Sequence, residues 1–118
     1  MYVLIIDDNT AYRSGVSKAA TNKGWTPISC DDVETAKRII LTETPDLIIA
    51  DYLLRDETVI DLLCWMNKNQ VKIPVIVVSA GLEDVLSEQA LRYGAKQYYD
   101  KLDFSLKKIY EILEERNI

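Results

Sequence analysis

The chain has 118 residues, of which 48% are hydrophobic and 28% charged, proportions that are ordinary for one globular domain. Its formal net charge of -5 argues against nucleic-acid binding by this chain, because phosphate backbones need a basic surface. It contains no histidine, which excludes Ser-His-Asp and Cys-His catalysis, histidine-ligated zinc and phosphohistidine chemistry. It has no basic leader and no apolar run of about 20 residues, so we predict a cytoplasmic protein without a membrane span.

Short apolar, β-branched segments alternate with longer segments of helical periodicity. Strands are predicted at residues 3–6, 27–30, 46–50, 73–78 and 97–101. Helices are predicted at residues 10–23, 33–40, 59–66, 83–93 and 106–113, with Asp103 as the N-cap of the last helix. The chain therefore consists of five repeats of a strand followed by a helix.

Two of the predicted strands, 46–50 and 73–78, are almost wholly apolar, which is typical of parallel strands buried on both faces. Alternating strands and helices with short connections indicate right-handed crossovers, with helices on both sides of the sheet. We predict an α/β, flavodoxin-like, doubly wound parallel sheet of five strands in the order 2-1-3-4-5, with five helices. No linker interrupts the pattern, so residues 1–118 are predicted to form a single domain.

Polar and charged side chains stand where four of these strands end. Asp7 and Asp8 follow the first strand, and Asp51 follows the third. Ser79 follows the fourth strand, and Lys101 ends the fifth. In a sheet of this kind, ligands bind outside the carboxyl ends of the strands. We therefore expect these five side chains to converge on one crevice.

Three clustered carboxylates repel one another, and a hard divalent cation removes that penalty. Mg²⁺, or Mn²⁺ in its place, prefers oxygen ligands, so Asp8 is the leading ligand candidate, with Asp7 beside it and Asp51 bridging. Lys101 and Ser79 are useful there only if a further anion arrives. A carboxylate is a competent nucleophile for phosphoryl transfer, which predicts an aspartyl phosphate at Asp51.

Each of these residues also has a simpler interpretation. Asp8 could cap the first helix, Asp7 could be a solvated acid, and Asp51 could be a turn residue. Ser79 could be a helix cap, and Lys101 could be an ordinary surface lysine. The functional interpretation depends on all four strand ends carrying matching chemistry at once.

The sequence resembles the receiver domains of bacterial two-component response regulators over essentially its whole length. The matching segments are residues 4–9, 45–51, 73–80 and 93–101, in this order and at this spacing. The resemblance implies that Asp51 accepts a phosphoryl group from a histidine kinase or a histidine phosphotransfer protein. It also implies that Asp7 and Asp8 hold Mg²⁺ together with the backbone carbonyl of Leu53.

The same resemblance assigns a switch. Ser79 and Lys101 match the family's hydroxyl and lysine, and Tyr98 matches the aromatic residue that turns inward as the hydroxyl moves. The alternative for Tyr98 is an edge-strand tyrosine packed on the last helix. Output would pass through the face of helix four, strand five and helix five, to a C-terminal output domain or a downstream protein. Phosphorylation could also promote a homodimer.

Three departures from the family pattern carry predictions. Leu102 stands where the family has a proline after a cis peptide bond, so we predict a trans Lys101–Leu102 bond. Arg55 and Val59 replace a proline and a glycine, so the loop after the third strand should take another path or start its helix earlier.

The third departure concerns the lifetime of the phosphoryl group. The positions two residues after Asp51 and Ser79 are Leu53 and Gly81, and neither side chain can orient a water molecule. We therefore predict slow self-dephosphorylation.

Three alternative functions remain open from the sequence. A phosphatase of the haloacid-dehalogenase type needs Asp-x-Asp after strand one, whereas Asn9 stands two residues after Asp7. A flavin binder would bring its cofactor's phosphate against Asp7 and Asp8, which would repel it. A degenerate receiver would bind partners without being phosphorylated.

Overall fold

The computed structural model describes residues 1–80 and 84–101, with the side chains of 84 and 85 left out. The predicted fifth helix with its Asp103 cap, the Lys101–Leu102 peptide bond and Gly81 lie outside the described residues. Predictions about them therefore stay predictions.

The described residues form seven strands and four helices. The strands are β1 (Tyr2–Ile6), β2 (Thr26–Cys30), β3 (Leu47–Asp51), β4 (Leu53–Leu54), β5 (Glu57–Thr58), β6 (Val75–Ser79) and β7 (Gln97–Asp100). The helices are α1 (Thr10–Asn22), α2 (Val33–Glu43), α3 (Val59–Lys68) and α4 (Asp84–Arg92).

Five of the strands form one parallel sheet in the order β2-β1-β3-β6-β7. In chain order of the long strands this is 2-1-3-4-5, so the predicted topology is confirmed. Of the three inner strands, β3 and β6 are buried at every residue, as their continuous apolar sequences indicated. Among the described helices, none combines the length and the apolar character that crossing a membrane requires.

The sheet separates two apolar clusters because successive side chains of a strand point to opposite faces. Alternate residues of β1, β3 and β6 pack with α1 on one face: Val3, Ile5, Leu47, Ile49, Ile76 and Val78 against Val16 and Ala20. The other residues of these strands pack with α2, α3 and α4: Leu4, Ile6, Ile48, Ala50, Val75 and Val77 against Ala36, Leu62 and Ala90. Helices on both faces confirm the doubly wound arrangement.

The segment between β3 and α3 forms a short antiparallel hairpin that the sequence analysis did not predict. Leu53 pairs with Thr58 and Leu54 with Glu57, which leaves Arg55 and Asp56 as a two-residue turn. Arg55 has φ of 59°, the left-handed conformation that such turns need at a central residue. Its guanidinium forms an ion pair with Asp31, between β2 and α2. The helix begins at Val59, as predicted.

Candidate functional site

The parallel register brings the carboxyl ends of four strands to one edge of the sheet. Ile6 lies opposite Ala50 and Asp51 lies opposite Val78, while Ser79 lies opposite Asp100. The next residues along β1 and β7 are Asp7 and Lys101. All the predicted strand-end residues therefore belong to the same edge.

Three carboxylates meet at this edge. One ligand oxygen from each of Asp7, Asp8 and Asp51 lies within 4.8 Å of the others. Asp7 and Asp51 are buried, at 2% and 8% exposure, whereas Asp8 is exposed. Asn9, and not Asp8, caps α1, because its side-chain oxygen accepts the Tyr12 N–H at 3.0 Å. The capping interpretation of Asp8 is therefore wrong, and Asp8 belongs to the cluster of three carboxylates.

Local hydrogen bonds fix the position of Asp7. Its backbone N–H donates to the Cys30 carbonyl at 3.1 Å, and its carbonyl accepts from Arg13 Nη1 at 2.7 Å. Its Oδ1 accepts from the Asn9 N–H at 2.8 Å. Asp7 Oδ2 is buried and has no well-directed hydrogen bond among the described residues, although an ammonium group lies at ion-pair distance. An oxygen in this condition is a suitable donor for a hard cation.

That ammonium belongs to Lys101. Its Nζ lies 2.8 Å from Asp7 Oδ2 and 3.2 Å from Asp51 Oδ2, and 16% of the side chain is exposed. The Lys101 backbone N–H donates to the Ser79 carbonyl at 2.8 Å, which joins the ends of β6 and β7. Ser79 is buried as the last residue of β6, and its helix-cap interpretation stays untested because residues 81–83 lie outside the described part of the chain. Lys101 is largely buried beside the two carboxylates and is therefore not an ordinary surface lysine.

The electrostatics of the site follow from burial and from these charges. Burial, and then the charge of Asp7, raise the pKa of Asp51, and Lys101 offsets only part of that rise. Burial works against the charged form of Lys101, but the close contact of its ammonium with the Asp7 carboxylate and the charge of Asp51 outweigh burial and raise the Lys101 pKa. Lys101 is therefore a permanent cation, and Asp51 is a carboxylate in an unfavourable environment without further positive charge.

Tyr98 and Leu53 are the other two predicted residues. Tyr98 is half-buried in β7 opposite Val77 and packs against the cluster that contains α4 residue Ala90. Its predicted inward turn stays a prediction. Leu53 begins β4 two residues after Asp51, with its side chain 59% exposed. The role of its backbone carbonyl as a metal ligand also stays a prediction.

The sequence analysis missed two tyrosines around the site. Tyr52, directly after Asp51, is buried, and its hydroxyl donates to Gln89 Oε1 of α4 at 2.9 Å. Tyr12 places its ring 4.4 Å from Lys101 Nζ, measured to the ring centroid. The available signal was position: Tyr52 follows the predicted acceptor, and Tyr12 lies in the first turn of the helix that begins at the site.

The family model of the response regulator receiver domain matches residues 3–114. The chain belongs to this family. The receiver is 31% identical over 111 residues to the DNA-binding transcriptional regulator NtrC of Bradyrhizobium sp. (strain RP501 Parasponia), over 94% of this chain and 23% of that protein. It is 29% identical over 101 residues to the phosphate regulon regulator PhoB of Pseudomonas aeruginosa, over 84% of this chain and 44% of that protein.

Solved structures agree with the family assignment. The receiver domain of the Francisella response regulator 1452 superposes with a TM-score of 0.87 at 25% identity, covering 99% of this chain and 98% of that chain. The receiver spans less than half the length of the curated relatives named above. Accepting a phosphoryl group is the general function of this domain, and it is a signalling function. The phosphatase and flavin-binding alternatives are therefore set aside.

Proposed function

We propose that Asp51 accepts a phosphoryl group from a histidine kinase or a histidine phosphotransfer protein in a Mg²⁺-dependent reaction. The observation that carries the proposal is the grouping of the Asp51 carboxylate with those of Asp7 and Asp8 within 4.8 Å, beside the Lys101 ammonium. We treat residues 1–118 as one receiver domain that assists only its own phosphorylation and dephosphorylation. It is a signalling domain and not a turnover enzyme.

The donor set fits a hard divalent cation. Asp7, Asp8 and Asp51 offer carboxylate oxygens, and the Leu53 carbonyl completes the proposed set for Mg²⁺ or Mn²⁺. Three carboxylates and one ammonium leave the group with a net charge of about -2, which a divalent ion neutralises. When bound, the ion supplies charge neutralisation for the approach of a phosphoryl group to an anionic acceptor.

The chain's own residues perform the transfer. An Asp51 oxygen forms the bond to phosphorus as the bond between phosphorus and the donor's imidazole nitrogen breaks, and the imidazole leaves with the electron pair. Lys101, already at 3.2 Å from Asp51, neutralises a phosphoryl oxygen, and the Ser79 hydroxyl donates a hydrogen bond to another. Most of the catalysis is positioning and charge stabilisation, which a preformed group of this kind supplies.

The added charge then biases the switch. Ser79 moves toward the phosphoryl group, and Tyr98 turns inward over the face of α4 and β7. Tyr52, the residue after the proposed acceptor, is connected directly to α4 by its hydrogen bond to Gln89, which supports a response of this helix. The exposed, apolar Leu53 side chain cannot orient an attacking water, and this supports slow self-dephosphorylation.

The partners follow from the same proposal. Two curated relatives are transcriptional regulators of which the matched region is only 23% and 44%, so an output domain or a separate downstream protein would receive the signal. The net charge of -5 gives this domain no role in binding nucleic acid directly. A structural neighbour at 20% identity is the beryllofluoride-activated NtrC4 receiver domain dimer, and we propose that phosphorylation could promote a homodimer here too.

Intact mass after incubation with acetyl phosphate and Mg²⁺ tests the proposal. Wild type should gain one phosphoryl group, and Asp51→Asn should gain none. Asp56→Asn is the matched control, because it removes the same charge from an exposed acid in the neighbouring turn and should behave as wild type. A gain in Asp51→Asn would place the acceptor elsewhere. No gain in wild type that binds Mg²⁺ would favour the degenerate receiver.

A further inference from the structure

Lys101 needs more than its backbone to hold its charge in place. Its side chain has four rotatable bonds and much conformational entropy to lose. It follows β7, an edge strand whose four residues are all only half-buried. The two carboxylates that now hold the ammonium, those of Asp7 and Asp51, are also proposed to hold a metal ion and a phosphoryl group. Their attraction for the lysine changes when those groups arrive.

The face of Tyr12 provides a contact of another kind. The ring centroid lies 4.4 Å from Lys101 Nζ, well within the range of a cation–π interaction. Tyr12 is fixed by the element that carries it, because its N–H donates to the Asn9 cap and its ring packs against the apolar cluster of α1. Its position therefore does not depend on the occupancy of the carboxylates.

We propose that Tyr12 is a positioning residue for phosphoryl transfer, whose ring face holds the Lys101 ammonium at the crevice while Asp7 and Asp51 change partners. This inference rests on the proposed function of Asp51 and Lys101. The attraction comes from the ring quadrupole, which neither coordinates a metal nor gains a phosphoryl group. It is the contact of Lys101 that persists through the reaction.

The state of the Tyr12 hydroxyl makes it possible to test whether the aromatic ring or the hydroxyl holds Lys101. It is buried and has no hydrogen-bond partner among the described residues. Burial, then the charges of Asp7 and Asp51, raise the pKa of Tyr12, so the ring stays neutral. A buried hydroxyl without a partner contributes nothing favourable in this state. Removing it should leave the positioning intact, whereas removing the ring should not.

The experiment compares Tyr12→Phe, which keeps the ring, with Tyr12→Leu and Tyr12→Met, which remove it. Two ring-less variants are used so that poor folding of one does not remove the test. Val16→Ala is the matched control, because it weakens the packing of the same cluster one helical turn further along α1. All variants are prepared as the full chain.

The first readout is the NMR shift of the Lys101 ε-methylene protons in metal-free protein. A ring face this close to the ammonium should move these protons upfield in wild type, Tyr12→Phe and Val16→Ala. The upfield shift should disappear in both ring-less variants. This measurement involves no phosphorylation, and a purely structural role of Tyr12 would not produce this pattern.

The second readout is the rate of phosphorylation by acetyl phosphate with Mg²⁺. Loss of a cation–π contact should slow the ring-less variants by about fivefold, while Tyr12→Phe and Val16→Ala stay within about twofold of wild type. The proposal is overturned if wild type lacks the upfield shift, if the ring-less variants react at the wild-type rate, or if Tyr12→Phe slows as much as they do. If wild type takes up no phosphoryl group, the proposed function itself fails, and a transfer role for Tyr12 fails with it.

Discussion

Burial and the charge of Asp7 oppose the ionised form of Asp51. Its carboxylate is largely removed from water, and the buried Asp7 carboxylate lies in the same group. The Lys101 ammonium, 3.2 Å from Asp51 Oδ2, compensates only in part, because it also forms an ion pair with Asp7. An ionised carboxylate in this position is unfavourable in the metal-free protein, and a bound cation would relieve that cost.

This environment makes the stability of the metal-free protein depend on pH. The pKa of Asp51 is raised above its unfolded value of 3.8, so the folded state binds this proton more tightly than the unfolded chain does. The resulting stabilisation is complete below the unfolded pKa and is lost as pH rises through the folded pKa. We expect Asp51→Asn to be more stable than wild type at neutral pH, with an advantage that grows from about pH 3.8 upward.

Urea unfolding in a chelating buffer between about pH 3.5 and about pH 7.5 measures this difference. Lys101 titrates far above this window, because its pKa is raised from an already high value. Adding Mg²⁺ should narrow the gap between the two proteins at neutral pH, since the ion stabilises wild type more. A difference in stability that does not change with pH would contradict the proposed electrostatics.

The β4–β5 hairpin contains a residue with an unfavourable backbone conformation. Its turn places the backbone of Arg55 in the left-handed conformation, which is strained for most residues other than glycine. The ion pair with Asp31 compensates little, because the two side chains are 57% and 37% exposed. On the other side, the Thr58 side chain caps α3 and its backbone N–H donates to Asp61 Oδ2 at 3.1 Å, so the hairpin runs directly into a well-capped helix.

A pair of substitutions isolates the backbone effect in this turn. Arg55→Gly and Arg55→Val both remove the ion pair with Asp31, so their difference reports only the conformational preference of residue 55. We expect Arg55→Gly to exceed Arg55→Val in free energy of unfolding by about 1–2 kcal/mol, because glycine adopts positive φ without a clash. Denaturant unfolding of the two variants measures it. Equal stability would show that the turn does not hold residue 55 at positive φ.

At the scale of the whole molecule, the sheet is what assembles the site. Side chains separated by as many as 94 positions, from Asp7 to Lys101, meet because β1, β3, β6 and β7 end at the same edge. A cation bound there would contact residues at the ends of two different strands, β1 and β3. Its binding energy would therefore stabilise the folded chain as a whole and not one local segment.

Mg²⁺ should raise the free energy of unfolding of wild type. At a free concentration about 100 times the Kd, the expected gain is about 2.7 kcal/mol. Asp8→Asn should lose most of this gain, because it removes an exposed ligand and leaves the core intact. Asp56→Asn, which removes the same charge nearby, should retain the gain. Urea unfolding with and without the ion measures all three proteins, and an undiminished gain in Asp8→Asn would exclude this carboxylate as a ligand.

The sequence by itself determined the topology and the edge at which the chemistry lies. Continuous apolar segments marked β3 and β6 as inner strands, and the alternation with helices implied right-handed crossovers and the strand order. The strand-end positions of Asp7, Asp51, Ser79 and Lys101 then followed from geometry alone. These features depend on periodicity and on chain direction, which are local properties that a sequence displays.

Only the tertiary structure decided how the side chains pair. It placed Lys101 between Asp7 and Asp51, set the Tyr12 ring beside it, and made Asn9 the cap that leaves Asp8 to the carboxylate group. It also folded residues 53–58 into a hairpin in place of an unspecified loop. Such contacts depend on distances of a few ångströms between elements far apart in the chain. The register of the sheet and the packing of the helices fix those distances, and neither leaves a periodic signal in the sequence.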